Sequence, residues 1–243
     1  MLAHDLKLCV ILSHHYVDNV VTSRYNRLKY YNPKATIYPV GLPGHELLDG
    51  SAFIDRDLWP NNDKMYLNME QYFCTDWSLG DLHIYQAYLD NPDYDYYFLV
   101  EYDTAFNTPI LDFFDITSKQ CGGNSVDANI TSWIWHQVYK SQTFNVKELT
   151  SKELGNSGVT TCLWFSNSIL SLIVKECLDN KDRYNNMFSE LRLGSLIKKY
   201  ATLNLSKQNI SEFISYSNDK LNWSHEKFFY HPCKQLLDAE LEL

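Results

Sequence analysis

The opening of the chain limits the fold more tightly than any other stretch. Residues 6–13, LKLCVILS, form a short continuous apolar run that ends on a small polar residue and meets His14 and His15. VDNVVTSRYNRLKYYNP follows with apolar residues near helical spacing, and Asn32-Pro33 closes it. ATIYPVG then reads as a second strand, after which Gly41 and Pro43 begin a loop. Strand, helix, strand in that order predicts a parallel α/β sheet, because parallel neighbours need a crossover and the helix supplies it.

The rest of the chain extends this pattern. Residues 44–65 are irregular and rich in Gly, Pro, Asp and Asn, which suits a functional or flexible insertion. GDLHIYQAYLDNP predicts a helix with Asp81 in its first turn, ending before Pro92 and leading into the apolar strand at 96–100. TPILDFFDI predicts a short helix or turn, and GGNSVDANITSWIWHQVY a strand and helix with poor boundaries. NSGVTTCLWFSNSILSLIVKECL reads as a strand running into an amphipathic helix, and MFSELRLGSLIKKYA as a further helix with Leu and Ile on one face. KFFYHPCK reads as an edge strand or loop, and LLDAELEL as a terminal helix or tail. No repeat or linker interrupts the series, so one α/β domain over residues 1–243 is expected.

Composition excludes several classes. The formal net charge of −9 is wrong for a general nucleic-acid binder, which would present a basic face. The opening apolar run is too short for a secretory leader and has no cleavage site, and no segment is long enough to cross a bilayer. A cytoplasmic protein with at most peripheral membrane association is therefore expected. The six cysteines are scattered without a CxxC pair, which fits reduced thiols and gives no zinc spacing. Sequons at Asn129, Asn204, Asn209 and Asn222 read as chance in an Asn-rich chain.

The chemistry gathers where the apolar strand of YDYYFLVEYDT stops on Glu101 and Asp103. Ligands of open α/β sheets sit beyond the carboxyl ends of parallel strands. Side chains alternate, so the two acids share one side and Tyr102 points away. Converging carboxylates repel unless something positive lies between them, and a hard divalent cation, Mg²⁺ or Mn²⁺ carrying phosphate, suits oxygen ligands. Two plainer readings stay open: Asp103 as a helix cap, and Glu101 paired with a lysine.

YDYYFLVEYDT followed by TPILDFF resembles the segment of GT-A-fold glycosyltransferases that carries the DxD motif, and the order of elements is similar over most of the chain. The pattern is similar to that of bacterial surface-polysaccharide transferases in particular. The resemblance implies a single GT-A-like, Rossmann-related domain with a mostly parallel central sheet flanked by helices. Residues 1–105 would bind the nucleotide-sugar and 106–243 the acceptor. It implies an inverting, metal-dependent transfer of sugar from a nucleotide-sugar donor to a glycan or glycolipid, with Mn²⁺ or Mg²⁺. The motif here is ExD, which makes Asp103 the firmer metal ligand and Glu101 a water-mediated ligand or an orienting neighbour. His231 of FFYHPCK resembles the late histidine that completes the metal shell, and Lys234 beside it could neutralise phosphate.

By the same resemblance Ser13, His14, Arg24, Asp81 and Tyr102 are candidates for nucleotide-sugar binding. Glu190 is the candidate base that takes the acceptor proton, and Asn156 and Trp164 are candidates for the acceptor cleft. Plainer readings accompany these too: Asp81 as a first-turn acid, Glu190 as a first-turn acid after a Ser189 cap, Trp164 as core. Two other functions remain open. A sugar-phosphate nucleotidyltransferase would share the acids, but SHHYVDNV has neither the glycine nor the lysine of a phosphate loop. A non-catalytic carbohydrate-binding or assembly protein on a transferase scaffold would suit the ExD departure.

Overall fold

The computed structural model describes residues 6–60, 79–116, 120–123, 149–150, 152–155, 157, 161–185, 187–201 and 229–234. Its centre is a six-stranded sheet in the order β3-β2-β1-β4-β7-β6. The strands are β1 (Leu8–His14), β2 (Thr36–Gly41), β3 (Ala52–Phe53), β4 (Tyr96–Glu101), β6 (Cys121–Gly122) and β7 (Leu163–Ser166). β1, β2, β3 and β4 are mutually parallel, whereas β7 runs antiparallel to both β4 and β6. The mostly parallel sheet is the one the opening strand–helix–strand predicts. A second sheet pairs β5 (Ala105–Phe106) with β8 (Phe229–Tyr230).

Both faces of the central sheet are covered, which is why its strands read as continuous apolar runs. Cys9, Ile11, Tyr97, Leu99, Leu163 and Phe165 face one core, built with α2 (Leu82–Asp90), α4 (Asn167–Asp179) and α6 (Ser189–Tyr200). Leu8, Val10, Leu12, Phe98, Val100 and Trp164 face the other, with α1 (Asn19–Tyr31), α3 (Ile110–Phe113) and the β5–β8 pair. The alternation within each strand thus feeds two cores at once. Trp164 lies in the second of these, and Gly122 leaves room for it: a Cβ there would meet the indole at 2.5 Å. A short helix, α5 (Lys181–Tyr184), links α4 to the segment before α6.

Caps fix the helix ends that matter here. Oδ1 of Asp18 accepts from the Val21 N–H at 2.8 Å and starts α1. Asn32, at the other end, donates to the Leu28 carbonyl and accepts from the Ile110 N–H, joining α1 to α3. Cys9, Cys121, Cys162, Cys177 and Cys233 are buried free thiols, and burial pushes the first four up to about 12. They behave as small apolar groups, as expected. Among the described residues no helix is long and apolar enough to cross a membrane.

Candidate functional site

β1 is flanked by β2 on one side and β4 on the other. The chain leaves β1 towards β2 and β3, then returns across it to β4, so the strand order reverses between β1 and β4. A crevice opens beyond the carboxyl ends of two such strands, because the connections diverge there. Here the two strand ends are tied: the Tyr102 N–H donates to the Ser13 carbonyl at 3.0 Å. Behind them, Thr161 Oγ1 accepts from the Glu101 N–H at 3.1 Å and shares a hydrogen bond with Thr104 Oγ1 at 2.8 Å.

Glu101 is the last residue of β4, and Asp103 lies in the tight turn that follows. That turn leads into β5, whose partner β8 ends immediately before His231. The register Ala105↔Tyr230 therefore delivers the imidazole to the acids, and the Cys233 N–H fastens the segment by donating to the Asp103 carbonyl at 2.6 Å. Ligand atoms of Glu101, Asp103 and His231 all lie within 4.8 Å of one another. Nε2 of His231 stands 2.6 Å from Glu101 Oε2 and 2.9 Å from Asp103 Oδ1. One N–H cannot point at both, and Oδ1 of Asp103 is buried without an aligned donor. Two carboxylates and an imidazole converging on one point, with an acceptor unsatisfied, fit a divalent cation such as Mn²⁺.

In the metal-free protein a proton takes that place. Burial works against charge on His231, but Glu101 and Asp103 outweigh it and raise the imidazole from 6.5 to about 10. A raised folded value means the charge stabilises the metal-free fold fully below 6.5, and that support is lost as pH rises through about 10. Metal binding must expel this proton. Mn²⁺ affinity is thus expected to rise about tenfold per pH unit across the neutral range, since one proton leaves per ion bound. Calorimetric titration in two buffers of different ionisation enthalpy counts the proton, and a buffer-independent enthalpy with pH-independent affinity would contradict the assignment.

Glu190 feels the charges of Glu101 and His231. It occupies the first turn of α6, where the Ser157 N–H donates to its carbonyl at 3.0 Å. Phe188 and not Ser189 holds the cap position, with no side-chain cap. Burial, and then the charge of Glu101, push the Glu190 carboxyl up to about 8, against a smaller opposing effect of His231. A carboxyl with that value is a stronger base than an ordinary one and titrates close to neutrality.

The remaining predicted residues divide. Tyr102 packs edge-on against His15 and Tyr16, with ring centroids at 4.8 and 4.9 Å, and belongs to the second core. Ser13 is buried and acts through its carbonyl, as above. His14 is also buried, and its Nε2 accepts from the Leu48 N–H at 3.3 Å, with Ser51 Oγ at 3.4 Å. It therefore anchors the loop after β2, and burial lowers its pKa. Lys234 is exposed beyond His231. Asn156 lies outside the described residues.

Three assignments need correction. Arg24 is fully enclosed, with Nη2 3.9 Å from Sγ of Cys233, so it backs the His231 segment and offers no surface to phosphate or base. Asp81 is wholly buried in a two-point ion pair with Arg192: Nε donates to Oδ2 at 2.8 Å and Nη2 contacts Oδ1. Trp164 is 1% exposed, inside the core, and presents no ring face to a sugar.

Arg192 and His83 are the residues that sequence reasoning missed. Arg192 interrupts the apolar face of α6 in LRLG, and a lone cation on such a stripe was the available signal. His83 carried no such mark.

No family model and no curated protein matches this sequence. Solved structures do. The chain is similar to a galactosyltransferase, LgtC, in complex with donor and acceptor sugar analogs, at 12% identity over 81% of this chain and 72% of that one, with a TM-score of 0.38. It is also similar to an active-site mutant of LgtC, at 12% identity over 93% of this chain and 88% of that one, with a TM-score of 0.44.

Proposed function

We propose that the protein is a metal-dependent glycosyltransferase that moves a sugar from a nucleotide-sugar to a glycan or glycolipid acceptor, as in surface-polysaccharide assembly. The observation that carries this reading is the convergence of Glu101, Asp103 and His231 at the strand-order reversal, where an α/β sheet receives its ligand. Those three residues would hold Mn²⁺ or Mg²⁺. A cation bound there supplies positive charge to the departing nucleoside diphosphate. Tyr102, with His15 and Tyr16, forms the aromatic wall for the nucleoside, and Lys234 adds a basic group at the rim.

Glu190 acts on the acceptor side. With its carboxylate at the edge of the same site it takes the proton from the attacking hydroxyl, which then displaces the nucleotide from the opposite face and inverts the anomeric carbon. Its raised value suits this step, because a base near neutrality combines proton affinity with a usable ionised fraction.

One detail weighs against a sugar-phosphate nucleotidyltransferase. Such an enzyme would hold phosphate at the start of α1, but the Asp18 carboxylate already occupies that helix N-terminus. A phosphate there would face a negative charge.

The test is a thermal-shift panel of UDP-, GDP-, CMP- and dTDP-sugars, each with Mn²⁺ or EDTA. A ligand at a hundred times its dissociation constant adds about 2.7 kcal/mol, so one nucleotide should raise the melting point, and only with metal. Product analysis with that donor then reads the anomeric configuration, and Glu190→Gln should lower the rate about 100- to 10,000-fold with binding intact. Metal-dependent donor binding with neither transfer nor hydrolysis supports the binding-scaffold reading instead.

A further inference from the structure

His83 sits in the first turn of α2, and α2 hands the chain from its far end to the start of β4. The first turn of that helix therefore lies at the carboxyl edge of the sheet, level with the crevice. Nδ1 of His83 is 3.1 Å from the Gly80 carbonyl oxygen, a contact only an N–H can make, so the ring proton resides on Nδ1. Nε2 is then a lone-pair acceptor. It is buried, in a residue 4% exposed, and has no hydrogen-bond partner among the described residues.

The charged and titratable groups acting on this ring are His14, Glu101 and His15, all at the carboxyl ends of β1 and β4. The first turn of α2 thus lies at the same edge of the sheet as these strand ends. Burial pushes its pKa down to about 4, so protonation does not relieve the unsatisfied nitrogen near neutrality. A buried acceptor without a donor is costly, and a ligand that brings the donor recovers that cost on binding. Ionised phosphate has only acceptors and is repelled here. A hydroxyl carries the donor.

We infer that Nε2 of His83 accepts a hydrogen bond from a hydroxyl of the bound nucleotide-sugar, so that the site selects against donors lacking that hydroxyl. The inference rests on the proposed nucleotide-sugar site and adds its polar specificity. The hydroxyl belongs either to the ribose or to the transferred sugar, and the same chemistry serves both. His83 carries the selection because it is neutral, fixed in tautomer by Gly80 and enclosed. The mismatch with a deoxy ligand arises from leaving it unpartnered.

The experiment uses the full chain with Mn²⁺ and compares UDP, GDP, CDP and their hexose conjugates with ribose-deoxy and sugar-deoxy counterparts, on wild type and His83→Phe. Wild type should bind the hydroxyl-bearing ligand about 5- to 100-fold more tightly than one deoxy form. His83→Phe should bind the two equally. Loss with the ribose-deoxy ligand assigns the ribose, and loss with the sugar-deoxy ligand assigns the transferred sugar. A second measurement needs no variant: with diamagnetic Mg²⁺ in place of Mn²⁺, the imidazole Nε2 nitrogen resonance should move upfield with the hydroxyl ligand and not with its deoxy form. Nucleotide-sugar binding without discrimination, or with an unmoved Nε2 resonance, overturns the role of His83 and leaves the transferase reading intact. No metal-dependent binding of any nucleotide or conjugate overturns both.

Discussion

Replacing Arg192 by methionine is expected to cost about 3–5 kcal/mol of folding stability, because it leaves the Asp81 carboxylate buried without its counter-charge. Both side chains of this pair are 0% exposed, and the guanidinium spends two N–H groups on the carboxylate while Nη1 donates to the Met187 carbonyl at 3.0 Å. Burial pushes the carboxyl towards protonation and the guanidinium is the largest influence opposing it, so removing Arg192 leaves the burial cost largely unbalanced. The double variant Asp81→Leu with Arg192→Met should recover most of the loss, since an apolar pair of similar bulk need not be desolvated as ions. It should fall short by about 1 kcal/mol, for the hydrogen bond to Met187. Urea unfolding of the two singles and the double gives the coupling directly. A double variant as unstable as Arg192→Met alone would show that the pair does not act as an isolated unit.

The same variants bear on activity by a different route. Arg192 is two residues beyond Glu190 on α6, and its bond to Met187 fixes the segment entering that helix. On the proposed role of Glu190 the pair positions that residue, and a folded double variant should lose rate before it loses donor affinity.

Asp103→Asn is the second large effect. The substitution keeps the shape of the turn and removes the charge facing the cation. Mn²⁺ binding should weaken by more than about 100-fold, the upper range for disturbing even an outer partner of a metal ligand. Transfer should fall by about 1,000-fold, in keeping with several kcal/mol of lost charge stabilisation. Calorimetric titration and initial rates at saturating donor separate the two losses. Unchanged Mn²⁺ affinity would mean that the three residues form only an ion pair between His231 and the acids. Asn should also let the His231 pKa fall, because one of its two negative neighbours is gone.

Much of this was legible along the chain. β1, α1, β2, β4 and the helix at 189–200 stand where their local signals put them, since each combines a run or period with a definite stop. The site acids were legible because two carboxylates at the end of an apolar strand contradict burial unless they have a use. His231 was reachable by resemblance, and the β5–β8 register then accounts for its arrival. Trp164 was not legible: with both faces of the sheet covered, LWFS looks the same whichever side is core or cleft. Asp81 and Arg192 meet across 111 positions, and no local pattern encodes such a pairing. His83 became visible only through an unmatched lone pair, which is a property of its surroundings and not of its spacing.

The two-stranded sheet has a consequence in time. β5 is made soon after the acids, but its partner β8 and the imidazole that follows come from the last part of the described chain. A growing polypeptide that has already laid down β1, β2 and β4 still lacks the third ligand atom. Until β8 is synthesised and zips onto β5, half-made molecules carry two acids that cannot close around an ion. On the proposed reading of the site, metal binding therefore waits on the segment that carries His231.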